Sequence, residues 1–129
     1  MGRRRGPHFE ITGATFQGEQ DNSTPWSFER IDERHSRDVL AAWNADDHQT
    51  TLIGDWHSHP SGAGDPSGTD RRAWRKLADS GRADCIGLIL VPVLPRVFLV
   101  HRSPPFHKVV EASLFADEPD DLVFGVGSP

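Results

Sequence analysis

The strongest constraint on the fold of this 129-residue chain is the stretch 53–74, IGDWHSHPSGAGDPSGTDRRAW. Its lead-in, TLIGDW at 51–56, carries β-branched, apolar and aromatic residues between the polar residues 46–49 and the break Pro60-Ser61-Gly62, and reads as a strand. Pro60 has no N–H to give to a sheet, so the strand is expected to end there. The Gly- and Pro-rich residues 61–66 allow a sharp turn. Ser67-Gly68-Thr69-Asp70 then opens a helix whose apolar side carries Trp74, Leu77 and Ala78 at i+3 and i+4 spacings.

Four polar side chains ride on these elements. Residues i and i+2 of a strand project from one face, so His57 and His59 point the same way. Asp70 lies in the first helical turn, on the side of Trp74. Strand end, loop and helix start can therefore bring two imidazoles and one carboxylate together, and three N/O ligands with an open fourth position is the pattern of a catalytic zinc site. Ser67-x-x-Asp70 also has the form of an N-terminal helix cap, a role that would itself fix Asp70. Ser58, between the histidines, faces away from them. Asp55 shares a face with His57 and is a candidate hydrogen-bond partner for a ligand imidazole.

The pattern His-x-His, seven residues, Ser-x-x-Asp resembles the metal-binding motif of the JAMM metalloproteases (MPN+, Mov34/PAD-1, JAB). The run Gly54-Asp55-Trp56-His57-Ser58-His59-Pro60 is especially similar to the small prokaryotic JAB branch. The strict motif covers residues 57–70, and a looser likeness extends over about residues 9–102. The resemblance implies an α/β (α+β) domain with a mixed sheet flanked by helices. It implies that His57, His59 and Asp70 bind Zn2+ and that Ser67 stabilises the oxyanion. It implies a zinc-dependent metallopeptidase or isopeptidase, using a metal-activated water at the C-terminal tail of a ubiquitin-like or sulfur-carrier protein.

The sequence departs from the family in one respect. The family's general base is a glutamate in a segment resembling E-x-G-G-x-L-x-G, after an N-terminal helix, and this chain begins directly with what resembles the family's second strand. The upstream glutamates, Glu10, Glu19, Glu29 and Glu33, stand outside that context, and Glu10 reads as an ordinary surface residue. Two readings stay open: a hydrolase, shortened at its N-terminus in this chain, and a non-catalytic metal-binding interaction module. A third, iron held by two histidines and a carboxylate, leaves the Ser67 spacing without a role.

Composition narrows the rest. The length suits one domain, 1–129, with residues 116–129 expected to form a flexible acidic and Gly/Pro-rich tail. A net charge of −5 disfavours a nucleic acid partner, and the one basic cluster, Arg3-Arg4-Arg5, reads as a solvated arm. Cys85 is the single cysteine, which fits a reducing compartment, the cytoplasm. It lies in the apolar run 85–91, a strand covered on both faces in which it is a small buried residue. No apolar run approaches the roughly 20 residues of a membrane span. Strands are expected at 8–16, 26–30, 97–100 and 108–114, a loop at 17–25, and helices at 32–43 and from Ser67 to about Gly81. The remaining histidines, His8, His35, His48, His101 and His107, have no ligand-like spacing.

Overall fold

The computed structural model describes residues 1–15, 22–24, 27–29, 33–59, 64–92, 95–117 and 122–125, the backbone alone at 22–24, 27–29, 114–117 and 122–125. In chain order the elements are β1 (Gly2–Arg5), β2 (His8–Ile11), β3 (Asn22–Thr24), β4 (Ser27–Glu29), α1 (Arg34–Ala45), β5 (Gly54–Ser58), α2 (Gly68–Gly81), β6 (Cys85–Leu90), β7 (Arg96–Ser103), β8 (Phe106–Asp117) and β9 (Leu122–Gly125). β3 and β4 pair as a separate ribbon, and the other seven form one mixed sheet in the order β1-β2-β9-β8-β7-β6-β5.

β5 and β6 are parallel, and α2 is the crossover between them. The remaining pairs of the large sheet are antiparallel. The sheet rolls round far enough that its ends meet: Gly2 and Thr51 exchange backbone hydrogen bonds of 3.0 and 2.9 Å. Alternation along β6 separates two apolar clusters. Cys85 and Ile89 join Trp74, Ala78, Phe98 and Val100 under α2. Ile86 joins Phe9, Ile53 and Val97 on the other face.

The α+β architecture matches the expectation, and several boundaries differ. The first helix begins and ends two residues later than its periodicity suggested, at Arg34–Ala45. β5 starts at Gly54 rather than at residue 51 and runs through His57, because β6 offers it backbone partners as far as Ser58↔Leu90. The expected strand at 8–16 stops at Ile11, while β8 is longer than 108–114. The expected loop at 17–25 contains β3, and the expected tail contains β9, where Leu-Val-Phe supplies strand residues between β2 and β8. The expected break at Pro60 lies outside the described residues.

The arginine run is not a solvated arm. It is β1, paired residue for residue with β2 (Gly2↔Ile11 to Arg5↔His8) across a turn in which Gly6 has φ +59°. Glu10 is not a surface residue either, being 1% exposed. Arg3 Nη1 donates to its Oε1 at 2.6 Å and Arg5 Nε pairs with its Oε2, the compensation a buried carboxylate requires.

Candidate metal centre

The site begins with α2 and what holds it. Ser67 is the N-cap: its Oγ accepts from the Asp70 amide at 3.1 Å, and its own amide donates to Asp70 Oδ2 at 2.7 Å, a reciprocal capping box. One turn further on, Trp74 is 0% exposed and lies on β6, where Gly87 has no side chain to obstruct it. The Trp74 ring lies 5.7 Å from Phe98 on one side and 6.4 Å from His57 on the other, centre to centre. Helix and sheet thus fix Asp70 and His57 against a shared aromatic residue.

The three charged or titratable groups of the motif converge. His57 Nε2 is 2.9 Å from Asp70 Oδ1, His59 Nε2 is 3.2 Å from Asp70 Oδ2, and the two Nε2 atoms are 3.0 Å apart. A tetrahedral zinc with bonds of about 2.0–2.1 Å sets its ligand atoms roughly 3.3 Å apart, so this cluster is close to the spacing of three corners. Among the described residues this is the one group of three or more His, Cys, Asp or Glu side chains able to hold a metal ion. The donor set fits as well: two imidazole nitrogens face one carboxylate, and the carboxylate has lone pairs beyond the one used by the Ser67 amide.

Burial pushes the Asp70 carboxyl up, but the Ser67 amide and hydroxyl and the His57 and His59 rings outweigh it and hold the group below its ordinary range. Asp70 is therefore an anion at neutral pH, as a ligand carboxylate must be.

The other candidates fall into place around this centre. Ser58 is exposed. Trp56, which alternates with His57 and so faces away from it, donates from Nε1 to the Thr15 carbonyl at 3.1 Å. It borders an open apolar groove of about 530 Å³ with Val39, Leu40 and Trp43 of α1. His35 caps the same region through Thr15 Oγ1 at 2.6 Å, His48 stacks on Trp43, and His101 and His107 pair with Asp84 and Asp79 at 2.8 and 2.9 Å. Of the upstream glutamates, Glu10 is clamped by arginines, Glu33 is exposed at the start of α1, and Glu19 lies outside the described residues. Sequence reasoning missed the part played by Gly87; its signal is a lone glycine inside an otherwise apolar run.

Comparison with known proteins bears on the same residues. The family described as prokaryotic homologs of the JAB domain matches residues 3–105. Three relatives carry the name CD-NTase/cGAS isopeptidase. The one from Pseudomonas aeruginosa is 34% identical over 82 residues, 64% of this chain and 52% of that protein. The one from Vibrio cholerae is 30% identical over 76 residues, 59% of this chain and 49% of its own length. An Escherichia coli relative is 30% identical over 74 residues, 57% and 47% respectively. The chain spans about half the length of these curated relatives. Since the family match runs through both histidines and Asp70 and takes in most of the chain, this protein belongs to the prokaryotic JAB-domain family.

Proposed function

We propose that the protein is a zinc-dependent isopeptidase that cleaves the amide bond at the C-terminal tail of a ubiquitin-like protein. His57, His59 and Asp70 would hold the ion. The observation that carries this reading is the convergence of the two Nε2 atoms and the Asp70 carboxylate within 2.9–3.2 Å. Bound there, zinc supplies an acidified water, with a pKa near 7, and polarisation of the scissile carbonyl. Ser67 stands at the mouth of the helix, where its hydroxyl is a candidate donor to a developing oxyanion. The name of the relatives makes a CD-NTase/cGAS protein joined through an isopeptide bond the first substrate to try. No described helix is long and apolar enough to cross a membrane, and the free, buried Cys85 suits a reducing cytoplasm.

The arginine clamp on Glu10 favours a second reading, a metal-binding interaction module without turnover, because a carboxylate engaged on both oxygens by guanidinium groups is badly placed to take a proton from water. One experiment separates the two. Protein purified without chelator is analysed for metal and incubated with a ubiquitin-like fusion, with and without a chelator. Chelator-sensitive cleavage supports the hydrolase, bound zinc without cleavage supports the module, and protein free of zinc refutes both.

A further inference from the structure

Residues 60–69 join His59 to Asp70, and holding so long a connection in one shape has a substantial entropic cost. A side chain far from the motif in sequence grips its described part. Arg96, the first residue of β7, donates from Nη1 to Asp65 Oδ1 at 2.8 Å. From Nε and Nη2 it donates to the two Glu111 oxygens at 2.9 and 3.0 Å. The loop backbone also lies on its stem: a Cβ built at Gly64 would stand 2.6 Å from Arg96 Cδ and 3.3 Å from Val91 Cγ1. Its guanidinium carbon is 5.3 Å from the centre of the Phe98 ring, and Phe98 stacks on Trp74. In the sheet register His57, Ile89 and Arg96 stand in one row, so Arg96 is on the histidine-bearing face, two strands away.

We propose that Arg96 is a positioning residue for the His57–His59–Asp70 centre, pinning Asp65 and with it the Ser67 amide that orients the Asp70 carboxylate. The proposal rests on the metal-binding reading above. Glu111 takes one edge of the planar guanidinium in a two-pronged bond and fixes its direction, which leaves Nη1 aimed at the loop. Asp65 is two residues before Ser67, whose amide contact to Asp70 Oδ2 is 2.7 Å. Loosening the loop therefore lets the carboxylate leave the orientation in which it faces both imidazoles. Lysine would give a point charge in place of this three-oxygen grip.

The test is zinc affinity, measured by competition with a chromophoric chelator, for wild type, Arg96→Met, Arg96→Lys, Asp65→Asn and the double variant Arg96→Met/Asp65→Asn. Asp65 has an 85% exposed side chain, so Asp65→Asn keeps the test alive if Arg96→Met folds poorly. Each single variant is expected to bind zinc about three- to tenfold more weakly, between the effect of an exposed ion pair and that of a partner to a metal ligand. The double variant is expected to be no weaker than Arg96→Met, and Arg96→Lys to recover only part of the loss. Cobalt-loaded Arg96→Met should keep the wild-type visible spectrum at saturation, since the ligands are unchanged. Raising the salt concentration should narrow the gap between wild type and variant. Wild-type affinity in Arg96→Met or in Asp65→Asn, additive losses in the double, or an altered cobalt spectrum would overturn the proposal. Absence of metal binding by wild type would instead overturn the reading beneath it.

Discussion

Gly87→Ala tests whether packing on the sheet sets the His57–His59–Asp70 cluster. Gly87 lies in β6 between Asp55 of β5 and Phe98 of β7. A methyl group there would stand 2.0, 2.2 and 2.5 Å from Cε2, Cζ2 and Cδ2 of Trp74. Carbon atoms in contact sit about 3.5–4.0 Å apart, so the ring has to retreat by roughly 1.5 Å. It has nowhere to go, being fully buried against Phe98. Overpacking a core costs about 1–3 kcal/mol, and rigid ring atoms on a fixed strand put this case at the upper end. Part of the strain will be relieved by lifting α2, which carries Asp70 one turn before Trp74. A shift of that size breaks contacts of 2.9 and 3.2 Å to the imidazoles. The expected result is a loss of about 3 kcal/mol together with much weaker zinc binding.

Urea unfolding gives the stability change from the midpoint, provided the slope is unaltered. Trp74→Leu, costly on its own, removes the ring that clashes. The double variant Gly87→Ala/Trp74→Leu should therefore lose at least about 1 kcal/mol less than the sum of the singles. A Gly87→Ala protein within about 0.5 kcal/mol of wild type, a difference typical of substitutions that disturb nothing, would refute the reasoning. So would strict additivity in the double.

Further expectations follow from the site and its surroundings. His57→Ala and Asp70→Ala should lose zinc by elemental analysis. Ser67→Ala should keep zinc, lose turnover, and cost about 1 kcal/mol through the missing cap; zinc release equal to that of Asp70→Ala would show the role assigned to Ser67 to be wrong. Cys85 is a buried thiol that burial pushes up to about 12, with smaller opposing and reinforcing effects from Arg4, Asp84 and Asp55. Because its folded value lies above the ordinary 9.0, the stability it confers is complete below pH 9 and lost as pH climbs towards 12, and a thiol reagent at neutral pH should label it only after denaturation. Asp46 is held well below its usual range by the Thr50 hydroxyl and amide, against burial and with help from Arg3 and the Gln49 amide. Its contribution is therefore present above about pH 4 and lost as pH falls further, so Asp46→Asn should be less stable than wild type at pH 7 by thermal melting and should converge with it in acid.

The convergence of His57, His59 and Asp70 was legible because its information is local. β5 carries His57 near its end and His59 follows one residue past it, a cap three residues before Asp70 sets the carboxylate, and both effects act within a few residues. The apolar run at 85–91 announced β6 for the same reason. What stayed hidden depends on partners far away in the chain. Nothing near Gly87 says that Trp74, thirteen residues earlier, will lie on it. Nothing near Arg96 says that it will meet Asp65 and Glu111. β9 was hidden by its flanks, since Leu122–Gly125 follows acidic residues and precedes Val-Gly-Ser-Pro, and composition averaged over such a stretch conceals four strand residues.

The arginine run shows how a charge-based reading fails. Charge counts describe side chains, whereas β1 exists because its backbone pairs with β2 across Gly6, whose positive φ permits the turn. The arginines then find carboxylates the pairing brings near: Arg3 and Arg5 on Glu10, and Arg3 Nε on Asp46 Oδ2 at 3.0 Å. Asp46 in turn accepts from the Thr50 amide at 3.0 Å, and Thr51 closes the sheet on Gly2. A Cβ on Gly2 would stand 1.9 Å from the Glu10 carbonyl oxygen and 2.6 Å from Ile53 Cδ1, so the closure tolerates no side chain there. β5 begins three residues after Thr51, and its far end presents His57. The ion pairs on the buried Glu10 therefore help fix where the strand that presents His57 enters the sheet, and that supporting role, rather than proton transfer, is what the geometry of Glu10 equips it to perform.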